Sequence, residues 1–170
     1  MDDKSELRKN AKLIRKNLNI DFISEQIVLK IKSWDVFNKS QNIMIFYPLE
    51  HEINLLELLD FEYKNFYLPR INDSNLECCH YKKGDVLKES VFKTKEPTTE
   101  CVNPKILDLI FVPALMVDKN NFRLGYGKSY YDRFLGNTNA ITVVPIAKEL
   151  IAECLPIEEH DKKVNFIITQ

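Results

Sequence analysis

Three short apolar runs, each meeting a proline, constrain this chain more than anything else in it. Asn42–Tyr47 (NIMIFY) stops at Pro48, Asn65–Leu68 (NFYL) stops at Pro69, and Asp108–Leu115 (DLIFVPAL) carries Pro113. A continuous apolar run too short for a helix reads as a strand buried on both faces, and proline marks where its ladder ends. Further strands are expected at Leu76–Tyr81, Ile141–Val144 and Val164–Thr169. Helical patterns lie before and between these runs. In Asp3–Leu18 the residues Leu7, Ala11, Ile14 and Leu18 form one apolar stripe, with Asp3 and Glu6 placed as a capping pair. Ile23–Trp34 repeats the pattern through Ile23, Ile27, Ile31 and Trp34. Shorter helices are expected at Leu55–Leu59 behind Asn54, at Ser129–Leu135 and at Lys148–Cys154, whereas Lys82–Asn103 is polar and reads as mostly loop. Buried strands alternating with helices predict an α/β sheet covered on both faces. With 170 residues, no internal repeat and no linker, the chain reads as a single domain over residues 1–170.

A formal charge of −1 gives no broad electrostatic attraction to nucleic acid, so any basic site must be local. No apolar run approaches the ~20 residues a membrane-spanning helix requires, and the first residues have no apolar signal core. Cys78, Cys79, Cys101 and Cys154 fit neither a zinc ribbon nor a redox motif, which predicts a reduced, cytoplasmic protein. His51, His80 and His160 share no metal-ligand spacing and read as ordinary.

The scarce residues point to the site. The chain has 19 Lys but only five Arg and four Gly, and Arg123, Gly125, Gly127 and Arg133 fall within eleven positions. The segment Arg123–Arg133 (RLGYGKSYYDR) lets backbone approach a ligand at its glycines and then opens a helix, whose free N–H groups attract an anion. Lys128 and Arg123 add charge suited to phosphate oxygens, and Asp132 is placed to hold a Mg²⁺ bridging them. Phe122 excludes a Walker A loop and Tyr130 excludes the third glycine of a dinucleotide fingerprint. Residue types alone leave a phosphate loop and a tight turn with incidental charges equally open. Lys4 and Arg8 lie one helical turn apart, which by itself fits a solvated basic face. Glu50 and Glu52 follow a strand's carboxyl end, where open α/β sheets place ligands.

Taken in order, these segments resemble the 5-formyltetrahydrofolate cyclo-ligase family: Lys4–Arg8 (KSELR), Phe46–Ile53 (FYPLEHEI), Leu68–Ile71 (LPRI), the pair Glu96 and Pro97, Asp108–Pro113 (DLIFVP), Arg123–Arg133 and His160–Val164 (HDKKV). The resemblance implies a three-layer α/β/α sandwich similar to sugar-phosphate isomerases and CoA transferases. It implies a soluble, monomeric enzyme that acts on small molecules, binding neither nucleic acid nor membrane. ATP and Mg²⁺ would drive conversion of 5-formyltetrahydrofolate to 5,10-methenyltetrahydrofolate with release of ADP and phosphate. By the family pattern Lys4, Arg8 and the stretch Arg123, Leu124, Gly125, Tyr126, Gly127, Lys128, Ser129, Tyr130 and Tyr131 would bind ATP. Lys128 and Arg123 would be the catalytic pair. Tyr47 and Glu52 would line the folate pocket, faced by Tyr126, Gly127, Lys128, Ser129 and Tyr130, while Asp132 and Asp161 would carry Mg²⁺. Arg70 is expected near the phosphates or the folate glutamate tail. The chain departs from the family at Ser129 and Asn121, where glycine is usual, and at Ala114. A stiffer loop follows if position 129 needs a positive φ.

Overall fold

The computed structural model describes residues 3–170. Helix α1 (Lys4–Lys16) starts at Asp3, whose side chain accepts from the Glu6 N–H as its sequence position predicts. Helix α2 (Ile20–Lys32) buries Ile23, Ile27 and Ile31 on one face. It begins three residues earlier than its apolar pattern, because Asn19 supplies the N-cap by accepting from the Phe22 N–H. A separate short helix α3 (Asp35–Lys39) follows, and Trp34 at its start packs edge-on against Phe166 at 5.3 Å.

The chain then lays down β1 (Asn42–Met44), β2 (Asn65–Asn72), β3 (Asn75–His80), β4 (Leu87–Glu89), β5 (Lys95–Pro97), β6 (Cys101–Val102), β7 (Leu109–Phe111), β8 (Met116–Asp118) and β9 (Arg123–Leu124). Helix α4 (Tyr130–Leu135), β10 (Ile141–Pro145), β11 (Ile151–Ala152) and β12 (Phe166–Ile168) complete it. Seven strands form one mixed sheet in the order β12-β10-β7-β1-β2-β3-β6. The first five of that order run parallel, and β3 and β6 extend the edge antiparallel. Ile43 and Met44 of β1, and Leu109, Ile110 and Phe111 of β7, are fully buried. Neighbouring strand residues point to opposite faces, so both faces of the sheet centre are covered, as the unbroken apolar runs imply.

Several elements depart from the sequence expectation. Strand β2 continues through Pro69 because β1 pairs only with Asn65–Tyr67, and a strand bonded on one side tolerates a missing N–H. Lys82–Asn103 is mostly loop, as expected, but it holds three short strands the sequence did not announce: β4 and β5 pair as a hairpin and β6 joins the main sheet. Its residues are largely exposed and polar, so no apolar alternation announces them. The helix expected at Lys148–Cys154 is one 3₁₀ turn, Lys148–Leu150, followed by β11. Here the fully buried Asp118 carboxylate accepts from the Leu155 N–H at 3.0 Å, drawing the chain alongside β8 instead. Among the described residues no helix is long and apolar enough to cross a membrane.

Candidate active site

A cleft of about 420 Å³ opens at the carboxyl ends of the parallel strands. Phe46 and Tyr47 enter it past β1, Pro69 and Ile71 from β2, and Pro113 past β7. Helix α1, the glycine loop, the segment Glu158–Asp161 and the β4–β5 hairpin rim it. Lys4, Arg8, Tyr47, Glu52, every residue from Arg123 to Asp132, and Asp161 all line this one cavity, so most of the candidates named from the sequence converge on it.

Helix α1 faces the cleft with a stripe that the apolar pattern does not reveal. Ala11 and Arg15 are buried and Lys4 and Arg8 half-buried, whereas Ile14 lies exposed. The 4-3-4 spacing of Lys4, Arg8, Ala11 and Arg15 puts three cations on one helix face. Lys4 Nζ donates to Asp161 Oδ2 at 2.6 Å and Glu158 Oε2 at 2.9 Å. Burial lowers the Lys4 pKa, but its bonds to Asp161 and Glu158 outweigh this and hold the ammonium above its ordinary value. Burial likewise acts to raise the Asp161 carboxyl, and the Lys4 contact reverses it, so the net direction is down.

Arg8 Nε donates to the Gly125 carbonyl at 2.8 Å, and its guanidinium crosses Gly127. Gly127 has φ +102°, and a Cβ there would lie 3.5 Å from Arg8 Cζ. Ser129, with φ 56° and ψ 20°, occupies the left-handed region, so the position does require a positive φ. Asn121 does so too, at φ 67°. Lys128 extends from the loop into the cleft, and its side chain makes no ion pair or hydrogen bond among the described residues.

Two arginines differ from expectation. Arg123 does not extend its charge freely toward a ligand: its side chain is 5% exposed, Nη2 lies 3.3 Å from Asp132 Oδ1, and Cζ sits 5.5 Å from the Tyr131 ring centroid. Its Nε has no partner among the described residues, and burial lowers the guanidinium pKa against the opposing Asp132 charge. A Cβ on Gly125 would stand 2.8 Å from Arg123 Nη1, so the glycine makes room for this buried side chain. Arg70 does not line the cleft; it bonds Glu77 and the carbonyls of Pro97 and Thr99, tying β2 to β3 and to the chain after β5. Glu50 also points away, 3.5 Å from His51.

On the opposite wall Glu52 is 8% exposed. Its Oε1 accepts from the Leu49 N–H at 2.7 Å and its Oε2 from the Tyr126 hydroxyl at 2.8 Å. Burial raises the carboxyl's pKa; the Leu49 and Tyr126 bonds and the Arg15 charge offset part of the rise. Tyr47 lies beneath Lys95 of the hairpin, whose Nζ is 5.4 Å from the ring centroid.

The acidic groups fall in two places. Asp132 is held by Arg123 and the Lys162 N–H, and Asp161 by Lys4 and the Glu158 N–H. Ligand atoms of Glu158, His160 and Asp161 lie within 4.8 Å of one another, and His160 Nε2 is 3.4 Å from Ser129 Oγ. His160 thus belongs to the cleft, which its isolated place in the sequence did not signal. Asp132, Asp161 and Glu158 offer the hard oxygens that suit Mg²⁺.

The model of the 5-formyltetrahydrofolate cyclo-ligase family matches residues 1–170. The chain belongs to that family. Members of the cyclo-ligase family are ligases, and this chain is an enzyme of that class. It is 28% identical over 144 residues to the 5-formyltetrahydrofolate cyclo-ligase of Mycoplasma genitalium, covering 82% of this chain and 80% of the relative. The mouse cyclo-ligase is 25% identical over 158 residues, covering 82% and 78%. The structure of Aquifex aeolicus 5,10-methenyltetrahydrofolate synthetase superposes with a TM-score of 0.87 at 30% identity, over 97% of this chain and 88% of that one. The Mycoplasma pneumoniae synthetase superposes with a TM-score of 0.81 at 20% identity, over 99% of both, which speaks to the shared fold.

Proposed function

We propose that this cyclo-ligase closes 5-formyltetrahydrofolate to 5,10-methenyltetrahydrofolate in an ATP- and Mg²⁺-dependent reaction that releases ADP and phosphate. The observation that carries this reading is a single cleft with Lys4, Arg8, Lys128 and the glycine loop on one side and the buried Glu52 carboxylate on the other. The cationic side suits a triphosphate, and Glu52 suits the N–H donors of a reduced pterin. Lys4 and Arg8 bind ATP, and the backbone from Arg123 to Tyr131 wraps its phosphates.

The formyl oxygen is a poor leaving group until it is phosphorylated. In the proposed sequence it attacks the γ-phosphorus and ADP leaves. N10 then attacks the formyl carbon, loses its proton, and the C–O bond breaks with departure of phosphate. Such chemistry depends on positioning and charge stabilisation. Lys128, unpaired and reaching into the cleft, stabilises charge on the transferring phosphoryl group. Arg123 contributes from below the loop by holding Asp132 in place. Asp132 and Asp161 would hold Mg²⁺, which when bound supplies charge neutralisation to the phosphate oxygens.

Methenyl product is read by its near-ultraviolet absorbance with 5-formyltetrahydrofolate, ATP and Mg²⁺ present, each then omitted in turn. Signal requiring all three is expected, and product formed without ATP refutes the reading. Lys128→Ala is expected to abolish turnover, by 10²-fold or more on the order of a lost transition-state donor, with an unchanged circular dichroism spectrum. Near-normal turnover in that variant refutes the role given to Lys128.

A further inference from the structure

Arg15 shares the helix face of Lys4 and Arg8 but lies behind the cleft wall, beside His51 and Glu52, and nothing above gives it a part in the reaction. It is 5% exposed. Its Nε donates to the His51 carbonyl at 3.0 Å and its Nη1 to the Tyr126 hydroxyl at 2.8 Å. A guanidinium only donates, and a phenol has one proton. The Tyr126 oxygen therefore spends its acceptor site on Arg15, and its own proton goes to Glu52 Oε2, 2.8 Å away. With the Leu49 N–H on Oε1, each oxygen of the carboxylate is fixed by one donor. Tyr126 leaves 39% of its surface exposed, and without Arg15 its hydroxyl would be held by the bond to Glu52 alone.

We propose that Arg15 is a positioning residue for the folate: it locks Tyr126 as a donor to Glu52 and so orients the carboxylate that receives the heterocycle's N–H groups. This rests on the folate reading of the Glu52 side of the cleft. The ionisable groups acting at Glu52 are Arg15 from α1, Tyr126 from the loop and Tyr131 from α4, while Glu50 and His51 in its own segment pair with each other. Arg15 is the cation among those acting on the Glu52 carboxyl. Its loss leaves burial opposed only by two hydrogen bonds, one of them from a phenol no longer held.

The test titrates 5-formyltetrahydrofolate and ATP separately into wild type, Arg15→Met, Tyr126→Phe and the double variant by calorimetry. Arg15→Met is expected to weaken folate binding about tenfold, the scale of one charge-assisted hydrogen bond, and to leave ATP binding within about twofold. In the Tyr126→Phe background it is expected to add less than about twofold, since Arg15 acts through that hydroxyl. Arg15→Lys, which keeps the charge and the fold, is expected to fall between. Equal losses for both ligands, or full additivity in the double variant, overturn the proposal. A second readout needs no substrate: the Glu52 carboxyl, followed by carbon-13 NMR, is expected to titrate at higher pH in Arg15→Met and, less so, in Arg15→Lys. An unshifted Glu52 overturns the relay. If wild type binds no folate, the functional reading fails while this titration still decides whether Arg15 acts on Glu52.

Discussion

Ser129→Gly is expected to stabilise the protein, and the geometry sets both sign and size. Ser129 sits at φ 56°, ψ 20° immediately before α4. A side chain in the left-handed region costs ~1–2 kcal/mol. The serine recovers little of this: it makes no capping hydrogen bond, and its hydroxyl has one contact, 3.4 Å from His160 Nε2 at an exposed site. Glycine relieves the strain but widens the unfolded ensemble, which takes back ~0.4–1 kcal/mol. The net gain is roughly 1 kcal/mol, or about 2–4 °C in Tm for a domain of this size. Urea and thermal melts of wild type, Ser129→Gly and Ser129→Ala give the measurement. Alanine keeps the Cβ and loses only the hydroxyl, so it is expected to match wild type or fall slightly below it. Equal behaviour of Gly and Ala, or a loss with Gly, refutes the assignment of strain to this backbone position.

Two further predictions concern the walls of the cleft. Glu52→Gln is expected to weaken folate binding by tenfold or more, on the order of a lost charged hydrogen-bond partner, while ATP binding holds; calorimetry showing equal losses would mean the folate pocket is misassigned. Lys4→Met is expected to destabilise the fold by ~1 kcal/mol at neutral pH, since its ion pair with Asp161 is only partly screened. The Asp161 pKa is lowered in the folded state, so this contribution is present above the ordinary carboxylate value and is lost as pH falls through the folded one. Lys4 is raised, so at the alkaline end the contribution is present below its ordinary value and is lost as pH rises through the higher folded one. Urea melts are therefore expected to separate the two proteins at neutral pH, with the gap starting to close as pH falls below about 4 or rises above about 10.5 and closing fully beyond the shifted folded values; a gap independent of pH removes the ion pair as the cause.

Legibility in the sequence followed physical cause. The buried centre of the sheet was readable because β1 and β7 are covered on both faces and need unbroken apolar runs. The glycine loop was readable because close backbone approach admits few residues: Gly127 at φ +102° and the crowded Gly125 sit where the rare glycines cluster. Helix α1 was half legible. Its stripe through Ile14 and Leu18 describes an amphipathic helix, but Ile14 is exposed and the buried face runs through Ala11, which joins the core, and Arg15, which is taken up by polar partners. Arg15, Tyr126 and Glu52 meet across separations of 111 and 74 residues, and Lys4 meets Asp161 across 157, which no local pattern encodes. Arg123 looked like a ligand for phosphate because its charge was visible and its burial was not. The β4–β5 hairpin escaped because an exposed polar ribbon has the composition of a loop.

The contact of Lys4 with Glu158 and Asp161 ties the beginning of α1 to the segment before β12. During synthesis, helix α1 leaves the ribosome early, with its cationic face formed but its acidic counterpart not yet made. Until residue 161 emerges, Lys4 lacks the carboxylates that fix it, and β10 has no β12 beside it. The cleft is thus among the last parts of the molecule to be finished, so an unfinished nascent chain holds no completed site for the ligands proposed above.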